Sequence, residues 1–146
     1  MKLYKDLHEF VTLLNSAGVR YVIVGGHAVA FHGHPRYTGD IDFFIERTED
    51  NAARIEKVLR DFGFGQTGFQ AKDFLEPENV VQLGRPPNRI DLLTTISGVT
   101  FPEAWANRVD GLLDGLPVSF LGRDDLLKNK RASGRPQDLA DLSHLE

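Results

Sequence analysis

The stretch "VGGHAVAFHGHPRYTGDIDFFIE", residues Val24–Glu46, decides how this chain is read. Its last part, IDFFI, has the apolar content of a buried strand, yet it contains Asp42, and Asp40 lies two positions earlier. A carboxylate among Ile41, Phe43, Phe44 and Ile45 is costly to bury unless something pairs with it. Side chains alternate along a strand, so Asp40 and Asp42 point to one face, ~6.6 Å apart along the backbone. The stretch opens with Gly25 and Gly26, which end the apolar run RYVIV. Glycines at a strand end let the backbone approach a ligand closely, and a helix opening there presents N–H groups suited to a phosphate.

A third carboxylate, Asp91, sits in RIDLL, another apolar strand context. If that strand neighbours the first, three carboxylates converge at one sheet edge. Their repulsion would raise their pKa values or demand a cation. Ligands that are all oxygen select a hard ion, usually Mg²⁺. Two such ions ~3.5–4 Å apart can clamp the attacking and leaving oxygens of a phosphoryl displacement. Each part also has a simpler reading. The glycine pair and Asp40 could only be making turns, Asp42 could be ion-paired to an arginine, and Asp91 could pair with its neighbour Arg89.

Working outward, Leu3, Leu7, Phe10, Val11 and Leu14 repeat with helical spacing, and Gly18 follows as a stop. RYVIVGG reads as a short strand, HAVAFHG as a short helix ending at Gly33 and Pro35, and DIDFFIE as a second strand. DNAARIEKVLRDFG reads as a helix with Asp50 as N-cap and Gly63 as stop. The glycine-rich segment FGFGQTGFQAKDFLEPENV carries no assigned element. VVQLG and RIDLLTT follow as strands around the turn RPPN. FPEAWANRV reads as a short helix, and GLLDGLPVSFLG as a hairpin turning at Asp114-Gly115. RDDLLKNKRA and a helix beginning at Pro136 close the chain, with Leu139, Leu142 and Leu145 on one side of the latter and Ser133-Gly134 between the two. The order predicts a mixed α+β domain with one sheet backed by helices.

The 146 residues suit a single domain, with the core over about 1–120 and the closing helices over about 121–146. With no cysteine there are no disulfides or thiolate metal sites, which suits a cytoplasmic protein. The amphipathic N-terminus, with Asp6 and Glu9, reads as neither signal peptide nor membrane span. A net charge of −4 argues against a dedicated nucleic-acid binder. Arg123, Lys128, Lys130, Arg131 and Arg135 form a local basic run, readable as a solvated helix face.

Taken together, "VGG", 13 intervening residues, "DID" and the later "IDL" resemble the DNA polymerase β-like nucleotidyltransferase superfamily. The longer string from Val24, with the tail DDLLKNKRASGRPQDLADLSHL, is similar to minimal bacterial nucleotidyltransferases related to abortive-infection and toxin–antitoxin systems. The resemblance spans nearly the whole chain. It implies a nucleotidyltransferase fold, a mixed sheet flanked by helices with two short C-terminal helices. It also implies transfer of a nucleoside monophosphate from a nucleoside triphosphate to a hydroxyl acceptor, a protein side chain or a tRNA or other RNA end, with release of pyrophosphate. Carried over residue by residue, Asp40 and Asp42 would hold Mg²⁺ ions gripping the triphosphate. Asp91 would hold the catalytic ion and help deprotonate the acceptor, and Gly25 and Gly26 would cradle the phosphates. Gly26 stands where many members have serine, so one phosphate-bonding hydroxyl is lost. The partners so implied are the nucleotide and its acceptor, with a second copy or a cognate toxin or antitoxin as further options and no membrane. A nucleotide-binding regulatory module without turnover is the alternative.

Arg36 and Thr38 precede the aspartate pair and could reach phosphate oxygens. His27, His32 and His34 invite a metal reading, but a structural or substrate-contact role suits them better beside three carboxylates. In the tail, Lys130 resembles a triphosphate contact, Arg135 adds a cation at the break, and Asp138 belongs to the same motif while also suiting the start of a helix. Phe101 and Trp105 are expected to pack the core.

Overall fold

The computed structural model describes residues 5–35, 39–62, 68–84 and 89–146. Helix α1 spans Lys5–Ser16, strand β1 Tyr21–Val24, helix α2 Gly25–Phe31, strand β2 Ile41–Ile45 and helix α3 Glu49–Asp61. A 3₁₀ turn at Ala71–Phe74 leads to strands β3, Val80–Leu83, and β4, Ile90–Leu93. Helix α4, Phe101–Ala106, precedes the hairpin of β5, Val109–Leu113, and β6, Leu116–Phe120. Helices α5, Arg123–Ser133, and α6, Pro136–Leu145, complete the chain.

The described strands form one sheet in the order β3-β4-β2-β1-β6-β5. Strand β1 runs antiparallel to β2 and parallel to β6, while β2 runs parallel to β4. The sheet is therefore mixed and the domain α+β, as the element order predicts. Helix α1 turns Leu7, Phe10, Val11 and Leu14 inward, four members of the stripe read in its sequence, while Leu3 lies outside the described residues. Phe10 meets Phe43 of β2 edge-on at 6.0 Å, and Tyr21 meets the same ring at 5.3 Å. Alternation sends Asp42 and Phe44 to the opposite face, where Phe101 of α4 packs against Phe44 at 5.2 Å. One sheet face is thus given to the core under α1, and the other carries both packing and the carboxylates.

Three details depart from the sequence reading. Thr48, not Asp50, caps α3: its hydroxyl accepts from the Asn51 N–H, while Asp50 pairs with Arg54 on the helix surface. Leu139 is 55% exposed, because α6 turns Asp138, Asp141, Leu142 and Leu145 inward instead. Trp105 packs against the core as expected, stacked on Phe101, with its open side flanked by the guanidinium groups of Arg108 and Arg20. The basic run of the tail is a solvated face at Arg123, Lys128, Arg131 and Arg135 but departs from that reading at Lys130. Lys130 is buried, Lys128 pairs with Glu103, Arg131 with Glu146, and Arg123 donates to the Leu145 carbonyl. The hairpin turns as expected, with φ of 51° at Asp114 and 79° at Gly115. Gly63 and the RPPN turn lie outside the described residues. No helix among those described is long and apolar enough to cross a membrane.

Candidate active site

Three chain segments meet where β1 ends. Strand β1 passes at Gly25 directly into α2, and the backbone there is left-handed, with φ +66°. A side chain at this position would run into the Asp42 carboxylate. Glycine is thus required twice over, for the turn and for the space that Asp42 fills. Val24 is the Cα partner of Asp42 across β1 and β2, and Asp42 is the Cα partner of Asp91 across β2 and β4. Residues paired this way present their side chains on one face, a few ångströms apart. Asp40, just before β2, joins them.

Arg89, two residues before Asp91, lies among these carboxylates. Its Nε donates to Asp91 Oδ1 at 2.8 Å, and its Nη2 donates to Asp91 Oδ2 at 3.1 Å and to Asp40 Oδ2 at 2.9 Å. The pairing with Asp91 is the simpler reading that its sequence context left open. The link to Asp40 joins positions 49 residues apart and has no sequence signature. Asp42 takes no part in these bonds. Burial pushes its carboxyl up to about 7, helped by the charge of Asp91, a hydrogen bond shared with Asp91 and the charge of Asp40, with Arg89 pulling the other way. Like charges forced together have this effect.

The donor chemistry suits a hard divalent cation: the ligands are oxygens, they carry excess negative charge, and they crowd enough for one to retain its proton near neutrality. The full set is not assembled, however. Among the described residues no three His, Cys, Asp or Glu side chains stand together as a ready ligand group. Asp40 and Asp91 are drawn to Arg89 instead.

Helices α5 and α6 form the opposite wall. Two adjoining clefts, of about 390 and 290 Å³, are both lined by Gly25, Asp42, Lys130 and Arg135. Lys130 reaches this wall from within. Its Nζ lies 3.0 Å from Asp138 and 3.1 Å from Asp141, and all three side chains are almost fully buried. Asp138 also accepts from the Ser133 hydroxyl at 2.8 Å and from Arg135 Nε at 2.8 Å. Burial alone would raise its carboxyl, but these donors outweigh burial and hold it well below the ordinary carboxylate range. The tail motif thus places Lys130 and Asp138 in a neutralised knot joining α5 to α6. Arg135 differs, since its side chain is 74% exposed and near enough to Asp42 to feel its charge.

Among the remaining expected residues, Gly26 is buried in the first turn of α2. Arg36 and Thr38 lie outside the described residues. His27 is buried, His32 Nε2 lies 2.7 Å from the Leu121 carbonyl, and the ring of His34 stacks on that of His144 at 3.8 Å. His32 and His34 thus tie α2 and the segment after it to the rest of the molecule. Sequence reasoning missed Asp141, although its spacing of three from Asp138 in DLADL places both on one helix side. Gln82 of β3 is the Cα partner of Asp91 on the side away from Asp42, a neighbour that no sequence pattern indicates.

A family model described as "Nucleotidyltransferase of unknown function (DUF6036)" matches residues 2–145. A solved structure from Thermotoga maritima, of a protein proposed to be a nucleotidyltransferase, superposes with a TM-score of 0.62 at 18% identity, over 94% of this chain and 88% of that one. An antigenic nucleotidyltransferase-like protein from Paracoccidioides brasiliensis superposes with a TM-score of 0.54 at 15% identity, over 96% of this chain and 72% of that one. No curated protein matches the chain.

Proposed function

Since the chain belongs to this nucleotidyltransferase family, we propose that it transfers a nucleoside monophosphate from a nucleoside triphosphate to a hydroxyl acceptor and releases pyrophosphate. The observation that carries the reading is the direct pairing of Asp42 with Asp91 beside the Gly25 turn. Asp42 and Asp91, joined by Asp40, would hold Mg²⁺, which neutralises the triphosphate and polarises its oxygens.

The row across the sheet gives each side a task. Gly25 and Arg135 flank Asp42 on the cleft side, where Arg135, bonded to Asp138 but 74% exposed, has guanidinium surface open to a phosphate. Lys130 and Asp138 hold the wall that carries Arg135 in place. On the side away from Asp42, the Cα partner of Asp91 is the exposed Gln82 of edge strand β3, and the acceptor approaches from that edge. Its hydroxyl oxygen attacks the α-phosphorus, the bond from that phosphorus to the bridging oxygen breaks, and the hydroxyl proton passes to Asp91. The acceptor is a protein side chain or an RNA end, in a toxin–antitoxin or phage-defence setting.

Arg89 favours a second reading. A guanidinium bonded to two of the three carboxylates suits a binding module that kept the fold and acts on a partner protein without turnover. The test separates the two. Purified protein is incubated with labelled nucleoside triphosphates, Mg²⁺ and candidate acceptors, including itself, lysate proteins and tRNA. Label transfer lost in Asp42→Asn supports the enzyme. No transfer, with a partner bound equally by wild type and Asp42→Asn, supports the module.

A further inference from the structure

Arg89 bonds two of the clustered carboxylates, and its bonding pattern bears on metal occupancy. Arg89 binds Asp91 through two parallel N–H···O bonds of 2.8 and 3.1 Å, and the nitrogen of the second also bonds Asp40 at 2.9 Å. Such two-pronged charged contacts are the strong class of hydrogen bond. The Arg89 side chain is 26% exposed and that of Asp91 only 10%, so solvent screens the pair weakly. The carboxylate oxygens engaged by the guanidinium are the ones a divalent ion shared by Asp40 and Asp91 would need.

We propose that Arg89 is the resident counter-cation of the nest and competes with a divalent ion for Asp40 and Asp91. This rests on the metal-dependent reading given above and adds a residue to it. An ion arriving alone must displace a guanidinium already bonded to two carboxylates, so it binds weakly. A triphosphate arriving with the ion brings new anionic oxygens, and the displaced guanidinium can pair with them. Ion and triphosphate therefore bind with positive coupling, and each raises the affinity of the other by the same factor. Arg89 thus keeps the site from filling with metal before the nucleotide arrives.

The test is titration of the purified protein with Mn²⁺, followed by electron paramagnetic resonance, without nucleotide and with a non-hydrolysable triphosphate. In the wild type, Mn²⁺ binds weakly alone and at least tenfold more tightly with the triphosphate. In Arg89→Gln, Mn²⁺ alone binds at least fivefold more tightly than to the wild type, and the coupling shrinks. Arg89→Lys, which keeps the charge but loses the two-pronged contact, falls between. Circular dichroism confirms that each variant is folded. If Arg89→Gln is unfolded, the comparison rests on folded Arg89→Lys. Mn²⁺ affinity that is unchanged or lower in the folded variants overturns the role of Arg89 and leaves the enzyme reading standing. Absence of Mn²⁺ binding in the wild type and every variant overturns both.

Discussion

Asp42 and Asp91 stand side by side on parallel neighbouring strands, 49 residues apart in the chain and paired in register. Most of the chemistry proposed for this protein depends on that pairing, and so does an energetic cost that can be measured without any substrate.

The first prediction concerns that cost. Between the ordinary carboxylate range and pH about 7, the unfolded chain has released the Asp42 proton while the folded chain retains it. The folded state binds more protons in this window, so stability without metal falls as pH rises through it. Asp42→Asn removes the effect. In chelator at pH 8 it should melt higher than the wild type, by about 1–3 kcal/mol of stability, with the gain fading towards pH 4. A variant that melts well below the wild type at pH 8 would show Asp42 to be a structural ion-pair partner.

Removing the proposed base should act on rate rather than fold. Asp91→Asn leaves the residue's size unchanged and weakens its bonds to Arg89. Label transfer should fall roughly 10²–10⁴-fold, while the affinity for a non-hydrolysable triphosphate, measured in chelator, changes far less. Equal losses in both measurements would place Asp91 in nucleotide binding instead.

Gly25→Ala tests the turn. The left-handed backbone costs an alanine about 1–2 kcal/mol, and its methyl group must also displace the Asp42 carboxylate. A lower melting temperature should therefore accompany a loss of transfer. Gly115→Ala, at a positive φ in the β5–β6 turn with open space around it, should cost stability alone.

The knot between α5 and α6 separates support from contact. Lys130→Met leaves Asp138 and Asp141 buried without their shared cation, and breaking such a pair costs about 3–5 kcal/mol. Arg135→Ala removes a largely exposed side chain and should destabilise far less, yet weaken triphosphate binding. Calorimetry and equilibrium binding on the two variants should therefore give opposite rankings.

An acid limb is also expected. Glu103 accepts from the Thr100 N–H, Lys128 and the Thr100 hydroxyl, and its carboxyl is held down at about 2. Its contribution is full above the unfolded pKa, ~4.3, and disappears as pH falls towards 2. Glu103→Gln should flatten the loss of melting temperature across that interval.

Much of this architecture could be read from local pattern. The stripe of α1, the strands around Val22, Phe43 and Leu92, and the Asp114-Gly115 hairpin follow from side-chain periodicity and turn chemistry, which act over a few residues. The glycine pair and Asp40 with Asp42 were recognisable because their spacing is local, and Asp91 because a carboxylate stands out within the apolar run RIDLL. Misreadings arose where two nearby residues competed for one role, as Thr48 did with Asp50 for the α3 cap, or where a polar residue outbid an apolar one. Asp138 and Asp141 turn inward on α6 because Lys130 waits there, and Leu139 is left in solvent.

By itself, then, the sequence determined which segments are helix or strand and which residues carry charge into an apolar setting, because those properties belong to the residue and its near neighbours. Tertiary structure alone decided that β2 and β4 are adjacent and in register, that Lys130 is enclosed by two carboxylates, and that Arg89 bridges Asp40 and Asp91. Those facts depend on strand order and on distances between residues far apart in the chain. Charge interactions act through space, so their partners are chosen only once the sheet has formed.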